Sequence, residues 1–230
     1  MSAKEFFLNL FFPKFCLFCH REGNYLCQDC TTLLEISEYH YCLCKKPLKL
    51  PQPGKCKRCK SKSLNGLYFA LSYQNSFCQK LIHQFKYEPA VKELATPLAS
   101  LIISHFQLSG NNPQGEVLIP IPLTKKKMKR RGFNQSEEIA KRLSGFLNIP
   151  LIPNCLIKTK ETLPQVELSE KERMENPKGV YIVREKDKIK GKRILLVDDV
   201  YTTGSTMEEA ARVLKESGAR EVWGIVIARG

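Results

Sequence analysis

The sequence is short of acid. Against 37 Lys and Arg it sets 23 Asp and Glu, for a formal net charge of +14. That balance disfavours polycationic partners and suits polyanions such as nucleic acid or phosphorylated small molecules, although surplus lysine is often only solvated. No apolar run reaches the length that a bilayer demands, which excludes a spanning helix. Low-complexity tracts are missing too, as are repeats beyond some paired cysteines, so solenoids and fibrous folds are excluded. The opening MSAKEFFLNLFFPKFC lacks a small-residue cleavage site; Lys4 and Glu5 precede its apolar patch and Pro13 ends it, so no export signal is expected. The patch reads either as a short amphipathic helix turning Phe7, Leu10 and Phe11 to a core or as a membrane-surface anchor. The expected location is the cytoplasm, and the anchor reading places the chain at the inner face of the membrane.

What is present is a globular composition. With 43% hydrophobic and 26% charged residues in 230, the chain has apolar surface for a core and length for a small domain plus a medium one. Ten cysteines without an export signal suit a reducing compartment, where thiols bind metal more readily than they pair. Eight of them form four close pairs, Cys16 and Cys19, Cys27 and Cys30, Cys42 and Cys44, Cys56 and Cys59. Two pairs complete a tetrahedral sulfur shell, so two zinc sites are expected, structural because four thiolates leave no open position. Consecutive pairing gives one site from 16, 19, 27 and 30 and another from 42, 44, 56 and 59; interleaved pairing gives a cross-braced module. The short HREGNYL insert favours the consecutive arrangement, since its loop is cheap to close. The CLC pair is tighter than the usual two-residue gap and marks the weaker site. Lys45, Lys46, Lys49, Lys55, Lys57, Arg58, Lys60 and Lys62 keep this face basic. Cys78 and Cys155 lie in apolar surroundings and are expected as core thiols.

The cysteine pairs stop before residue 65, which sets the expected boundary between a zinc-ribbon-like domain, 1–65, and a second domain, 66–230. From there the pattern predicts strand 67–73, helices 76–86 and 90–106, strand 117–121, helix 134–147, strands near 155–159 and 180–184, strand 193–197, helix 205–217 and strand 221–228. Apolar strands alternating with amphipathic helices argue for an α/β fold with a parallel sheet. In such sheets ligands bind beyond the carboxyl ends of the strands. There the sequence places ILLVDDVYTTGSTMEEA. Two adjacent carboxylates, Asp198 and Asp199, repel unless a cation or a set of hydroxyls lies against them, as a divalent ion or a sugar diol does. The following Thr202, Thr203, Gly204, Ser205 and Thr206 offer backbone N–H groups, hydroxyls and the start of a helix, which suit an anion. Together they describe a site for a phosphorylated ribose. The bland alternative is a capped helix after a solvated turn.

IPIPLTKKKMKRRGFNQSEEIA together with ILLVDDVYTTGSTMEEA resembles the type I phosphoribosyltransferase fold and, more narrowly, the ComF/ComFC (GntX-like) family. The resemblance extends over nearly the whole chain, including the cysteine module, LIHQFKYEP and TLPQVELSEKERMENPKGVY. It implies that Asp198 and Asp199 hold ribose hydroxyls, that residues 202–206 wrap the 5′-phosphate of phosphoribosyl pyrophosphate (PRPP), and that magnesium travels with the pyrophosphate. Tyr201 stands where a smaller aliphatic residue is commoner. The pyrophosphate should meet the segment after strand 117–121, with Thr124, Lys125 and the run to Arg131, in which six of seven residues are basic. That run serves as charge neutralisation, as a nucleic-acid contact or as a solvated loop, with Arg131 the strongest site candidate. Asn134 and Gln135 orient a ligand or cap the next helix. Lys86 reaches the phosphates or is a surface lysine; His83 is expected to pack. Gln165, Arg173, Asn176 and Gly179 are further pocket candidates.

Three functions follow from the resemblance: handling of incoming single-stranded DNA with the competence machinery, phosphoribosyl transfer with pyrophosphate release, and sensing of PRPP. The DNA-handling role ranks first, because no general base for an acceptor stands out in the sequence.

Overall fold

The computed structural model describes residues 13–87, 91–159 and 179–230. The N-terminal segment with Phe7, Leu10 and Phe11, and the candidates Gln165, Arg173 and Asn176, lie outside the described residues. Elements in chain order are α1 (Gln28–Thr32), β1 (His40–Tyr41), β2 (Lys49–Leu50), β3 (Gly66–Ser72), α2 (Ser76–Lys86), α3 (Ala95–Leu108), β4 (Val117–Pro120), α4 (Lys125–Arg131), α5 (Gln135–Leu147), β5 (Leu156–Lys158), β6 (Tyr181–Val183), α6 (Lys186–Ile189), β7 (Arg193–Val197), β8 (Val200–Tyr201), α7 (Ser205–Glu216) and β9 (Glu221–Arg229). Among the described residues no helix is long and apolar enough to cross a membrane.

The fold is α/β, built on a parallel sheet in the order β3-β9-β7-β4, with β8 pairing the end of β9. The strands are apolar on both faces because both faces are covered, as parallel sheets require. Alternation assigns the sides: Leu195 and Val197 of β7 join α2, α3 and α5, whereas Ile194 and Leu196 join α7 and the β5–β6 pair. That pair is antiparallel and stands apart from the main sheet, so the strands expected near 155–159 and 180–184 do not extend it. Cys78 and Cys155 are buried in these cores, as expected.

The cysteine-rich segment wraps the β3 edge. Cys16, Cys27 and Cys30 join the core on one face of the sheet, and Cys42, Leu43 and Cys59 join the core on the other. An edge strand covered in this way no longer offers its backbone to a foreign chain. Polar links tie the wrap down: Ser37 N–H donates to Ala70 O at 2.7 Å, Asn65 exchanges bonds with Val222 at 2.8 and 3.0 Å, and the His105 Nδ1 lies 2.6 Å from Ser37 O.

Two elements differ from the sequence expectation. The basic run is the helix α4, although its seven residues carry no apolar stripe. Thr124 caps it by accepting from Lys127 N–H, and Gly132 at φ 76° closes its other end in a conformation that disfavours side chains. The helix expected at 90–106 is a short 3-10 turn, Lys92–Leu94, followed by α3, which runs on to Leu108.

Candidate functional site

All the site segments leave the same edge of the sheet. Thr124 follows β4, Asp198 and Asp199 follow β7, and residues 202–206 follow β8, each at a strand's carboxyl end. Parallel strands put these loops side by side, which is why ligands gather there.

The two carboxylates have different partners. Asp199, largely buried, pairs with Lys86 Nζ at 2.8 Å from the last turn of α2. Asp198 Oδ1 accepts from Ser136 Oγ at 2.9 Å and from the Asp199 backbone N–H at 2.9 Å. Burial first, and the neighbouring Asp199 second, push the Asp198 carboxyl up to about 7; Lys86 and the two hydrogen bonds oppose that rise. Burial works against the charge on Lys86, but Asp199 and Asp198 together outweigh it and hold the amine above its ordinary range. Lys86 is therefore not a solvated lysine: it is a buried cation beside two adjacent acids at one strand end.

Beyond β8 the chain turns through Gly204, at φ 77°, into α7. A Cβ there would collide with the Tyr201 ring and hydroxyl, so glycine is required on two counts. Thr203 Oγ1 lies 3.0 Å from Ser205 Oγ, and a small hollow is lined by Thr202, Gly204, Ser205, Thr206 and Met207. On the outer side, a cleft of about 520 Å³ separates Ser61 and Lys62 of the cysteine segment from Thr203 and Ser205. Backbone N–H groups at the first turn of a twelve-residue helix, flanked by hydroxyls, can take an anion.

The other candidates divide. Arg131 donates to Gln135 Oε1 at 3.0 Å and lies over the Tyr87 ring, so it is anchored beside Lys86's helix. Lys125 is exposed on α4. Like charges four apart in that helix repel, so an anion bound alongside would relieve the strain. Asn134 caps α5 through Ser136 N–H and donates to Ile121 O at 3.1 Å, which accounts for it fully. His83 is exposed, its ring 4.9 Å from that of Tyr87. Gly179 N–H donates to Glu209 of α7 at 2.6 Å, which joins it to the helix and not to the loop hollow. Ser136 was missed by sequence reasoning; its only signal was adjacency to RGFNQ.

The eight paired cysteines form two clusters, one of Cys16, Cys19, Cys27 and Cys30, the other of Cys42, Cys44, Cys56 and Cys59, so pairing is consecutive. In each, all four sulfurs lie within 4.8 Å of one another. Neighbouring sulfurs sit 3.5 Å (Cys19 and Cys27), 3.6 Å (Cys44 and Cys56) and 3.7 Å (Cys56 and Cys59) apart. These separations are far beyond a disulfide and close to the ~3.8 Å edge of a tetrahedron with Zn–S bonds of about 2.3 Å. Backbone N–H groups point at the sulfurs, from Cys30 to Cys27 at 3.4 Å and from Leu48 to Cys42 at 3.1 Å, as suits thiolates. Either cluster could hold a zinc ion, the tight CLC pair included.

The sequence model of the phosphoribosyl transferase domain matches residues 84–230, and the chain belongs to that family. Its curated relatives narrow the class. The chain is 39% identical to competence protein F of Haemophilus influenzae over 49% of its own length and 51% of that protein. It is 33% identical to the DNA utilization protein YhgH of Escherichia coli O157:H7 over 62% and 64% of the two chains, and 38% identical to competence protein ComFC of Bacillus subtilis over 44% and 39%. The matches thus span between about two fifths and two thirds of these relatives. With both four-cysteine clusters in place, the likeness to the ComF/ComFC proteins holds.

Proposed function

We propose that the chain binds PRPP at the carboxyl edge of the sheet and handles single-stranded DNA in competence. The observation that carries this is the pairing of Asp198 and Asp199 with the loop 202–206 at one strand end: acceptors for a diol beside donors for a phosphate. Asp198 and Asp199 take the ribose hydroxyls, the amides and hydroxyls of 202–206 take the 5′-phosphate, and Thr124, Lys125 and Arg131 face the pyrophosphate. Burial, and then the neighbouring Asp199, raise the Asp198 carboxyl, and hydroxyls and a cation brought against it would favour its charged form. Magnesium, arriving with the pyrophosphate, would supply charge neutralisation there. Each cysteine cluster holds one zinc ion as a structural centre. The cysteine segment, 1–65, with exposed Lys45, Lys46, Lys57, Arg58 and Lys60, and the basic α4 form the polyanion-facing surface of the sheet domain, 66–230. The names of the relatives, competence proteins and a DNA utilization protein, support the DNA role in competence.

Titration calorimetry with PRPP and magnesium, with and without single-stranded DNA, tests this. The Asp198→Asn, Asp199→Asn double variant should lose PRPP affinity by about two orders of magnitude or more, from two charge-assisted bonds of about 1.5–3 kcal/mol each. Its DNA affinity should stay and fall steeply with salt. Unchanged PRPP binding in that variant would sink the assignment. Active transfer is the second reading: Asp198 stands at the strand's carboxyl end with its carboxyl pushed up by burial, which would suit it to accept a proton. Pyrophosphate release that depends on one added base or amine would select it.

A further inference from the structure

The second cysteine cluster is wired to the phosphate loop through two buried side chains that neither site needs for itself. Arg229, almost fully buried at the end of β9, donates from Nη1 to Cys42 O at 2.7 Å and from Nη2 to Cys44 O at 2.6 Å. Both acceptors are carbonyls of residues in the cluster. The same guanidinium lies over the Tyr201 ring, 5.6 Å from its centre. Tyr201 is 3% exposed, pairs with Arg229 in the β8–β9 register, and presses its ring and hydroxyl against the Cα side of Gly204. Lys62, three residues after Cys59, reaches the Tyr201 hydroxyl at 3.3 Å. Glu208, in the first turn of α7, accepts from the backbone N–H groups of Ser63 and Leu64.

The contacts described around the first cluster lead elsewhere. Its described contacts lead to α2, where Lys80 Nζ donates to Leu17 O at 2.5 Å and the Phe18 and Phe77 rings meet at 4.6 Å, on the opposite face of the sheet. The two clusters are chemically alike, yet among the described contacts it is the second that touches the loop's supports.

We propose that Arg229 and Tyr201 are positioning residues that transmit the order of the Cys42, Cys44, Cys56 and Cys59 cluster to the loop 202–206, so that the loop's grip on a phosphorylated ribose depends on that cluster and not on the other. The physical step is short. Four thiolates drawn onto one ion fix the Cys42 and Cys44 carbonyls; those carbonyls fix the guanidinium; the guanidinium and Lys62 fix the Tyr201 ring; and the ring sets how far Gly204 can move. A loop that must present several amides to one anion loses affinity when it is not held in that arrangement. The inference rests on the phosphate-loop assignment above, and the test separates the two.

Four proteins are compared: wild type, Cys19→Ser in the first cluster, Cys44→Ser in the second, and Arg229→Gln, which leaves all eight thiols in place. PRPP affinity with magnesium is measured by calorimetry, amide hydrogen exchange at residues 203–206 without any ligand, and bound metal and melting temperature on the same samples. Cys44→Ser and Arg229→Gln should each weaken PRPP binding by about fivefold or more and speed exchange at 203–206, while Cys19→Ser changes neither appreciably. The combined Cys44→Ser, Arg229→Gln variant should be no worse than the poorer single one, since both cut one chain of contacts. Equal effects from the two cysteine variants, or an Arg229→Gln protein with wild-type affinity and exchange, overturn the proposal. A wild-type protein that ignores PRPP but shows the exchange pattern defeats the binding assignment and leaves the coupling standing; intact PRPP binding in every variant does the reverse.

Discussion

The cysteine-rich region and the sheet solve the same problem by different means. Among described residues 13–64, the buried hydrophobic side chains are four leucines and five cysteines. So small an apolar stock cannot offset the ordering of some fifty residues, and short domains of this kind turn to metal. The sheet instead buries Val, Ile and Leu on both faces of every main strand. One region gathers its sulfurs at two points where an ion could hold it, the other has a continuous core. The difference teaches where each is vulnerable.

The sharpest way to break the comparison is to take the metal away. A strong chelator with reductant should remove about two zinc equivalents per chain, given the four-thiolate geometry. Hydrogen-exchange protection should collapse across 13–64, while β4, β7 and β9 remain protected. Protection that is unchanged on removal, or protein that carries no metal when freshly purified under reducing conditions, would show that sulfur is not what holds this region.

A smaller effect comes from the other side. Leu195, fully buried between β4 and β9, contacts the core that also holds α3 and α5. Leu195→Ala should cost about 3–5 kcal/mol, read as a lower urea midpoint at constant slope. Metal content should not change. Loss of zinc together with stability would mean the two regions unfold as one unit, and the contrast would fail.

The two regions also differ in how much their sequences disclose. Cysteine spacing was enough for the four-thiolate sites, because a turn of two residues is itself the geometry of a knuckle. A continuous apolar run was enough for β7, whose bounds match the expectation of 193–197, and amphipathic patterning for α2 and α7. What stayed hidden was every contact made at long range. Lys86 and Asp199 are far apart in the chain, and nothing near either names the other. Ser136 looks like a helix residue until the fold delivers it to Asp198. Arg229 reads as an ordinary strand end, although its partners lie in the CLC pair. The helix α4 was hidden for a local reason: a run with a single apolar residue, Met128, among basic ones has no periodicity, so only its caps specify it.

The subtlest expected effect concerns pH and the acid pair. Asp198 is raised from 3.8 to about 7 by burial, then by Asp199, against the pull of Lys86. A diol is held by the ionised carboxylate, so PRPP affinity should climb as pH rises toward 7, by at most about tenfold per unit for one proton released, and level off above it. Stability of the unliganded protein should move the other way. A carboxyl whose folded value lies above its unfolded one binds more protons when folded, so its contribution is present below 3.8 and is lost as pH rises to about 7. Lys86→Met removes an opposing charge and should shift the affinity midpoint upward, whereas Asp198→Asn should bind weakly with no such dependence. Affinity measured from pH 5.5 to 8.5 on the three proteins checks this. A midpoint that stays put in Lys86→Met would mean that the lysine serves Asp199 alone and that the two neighbouring acids do not share it.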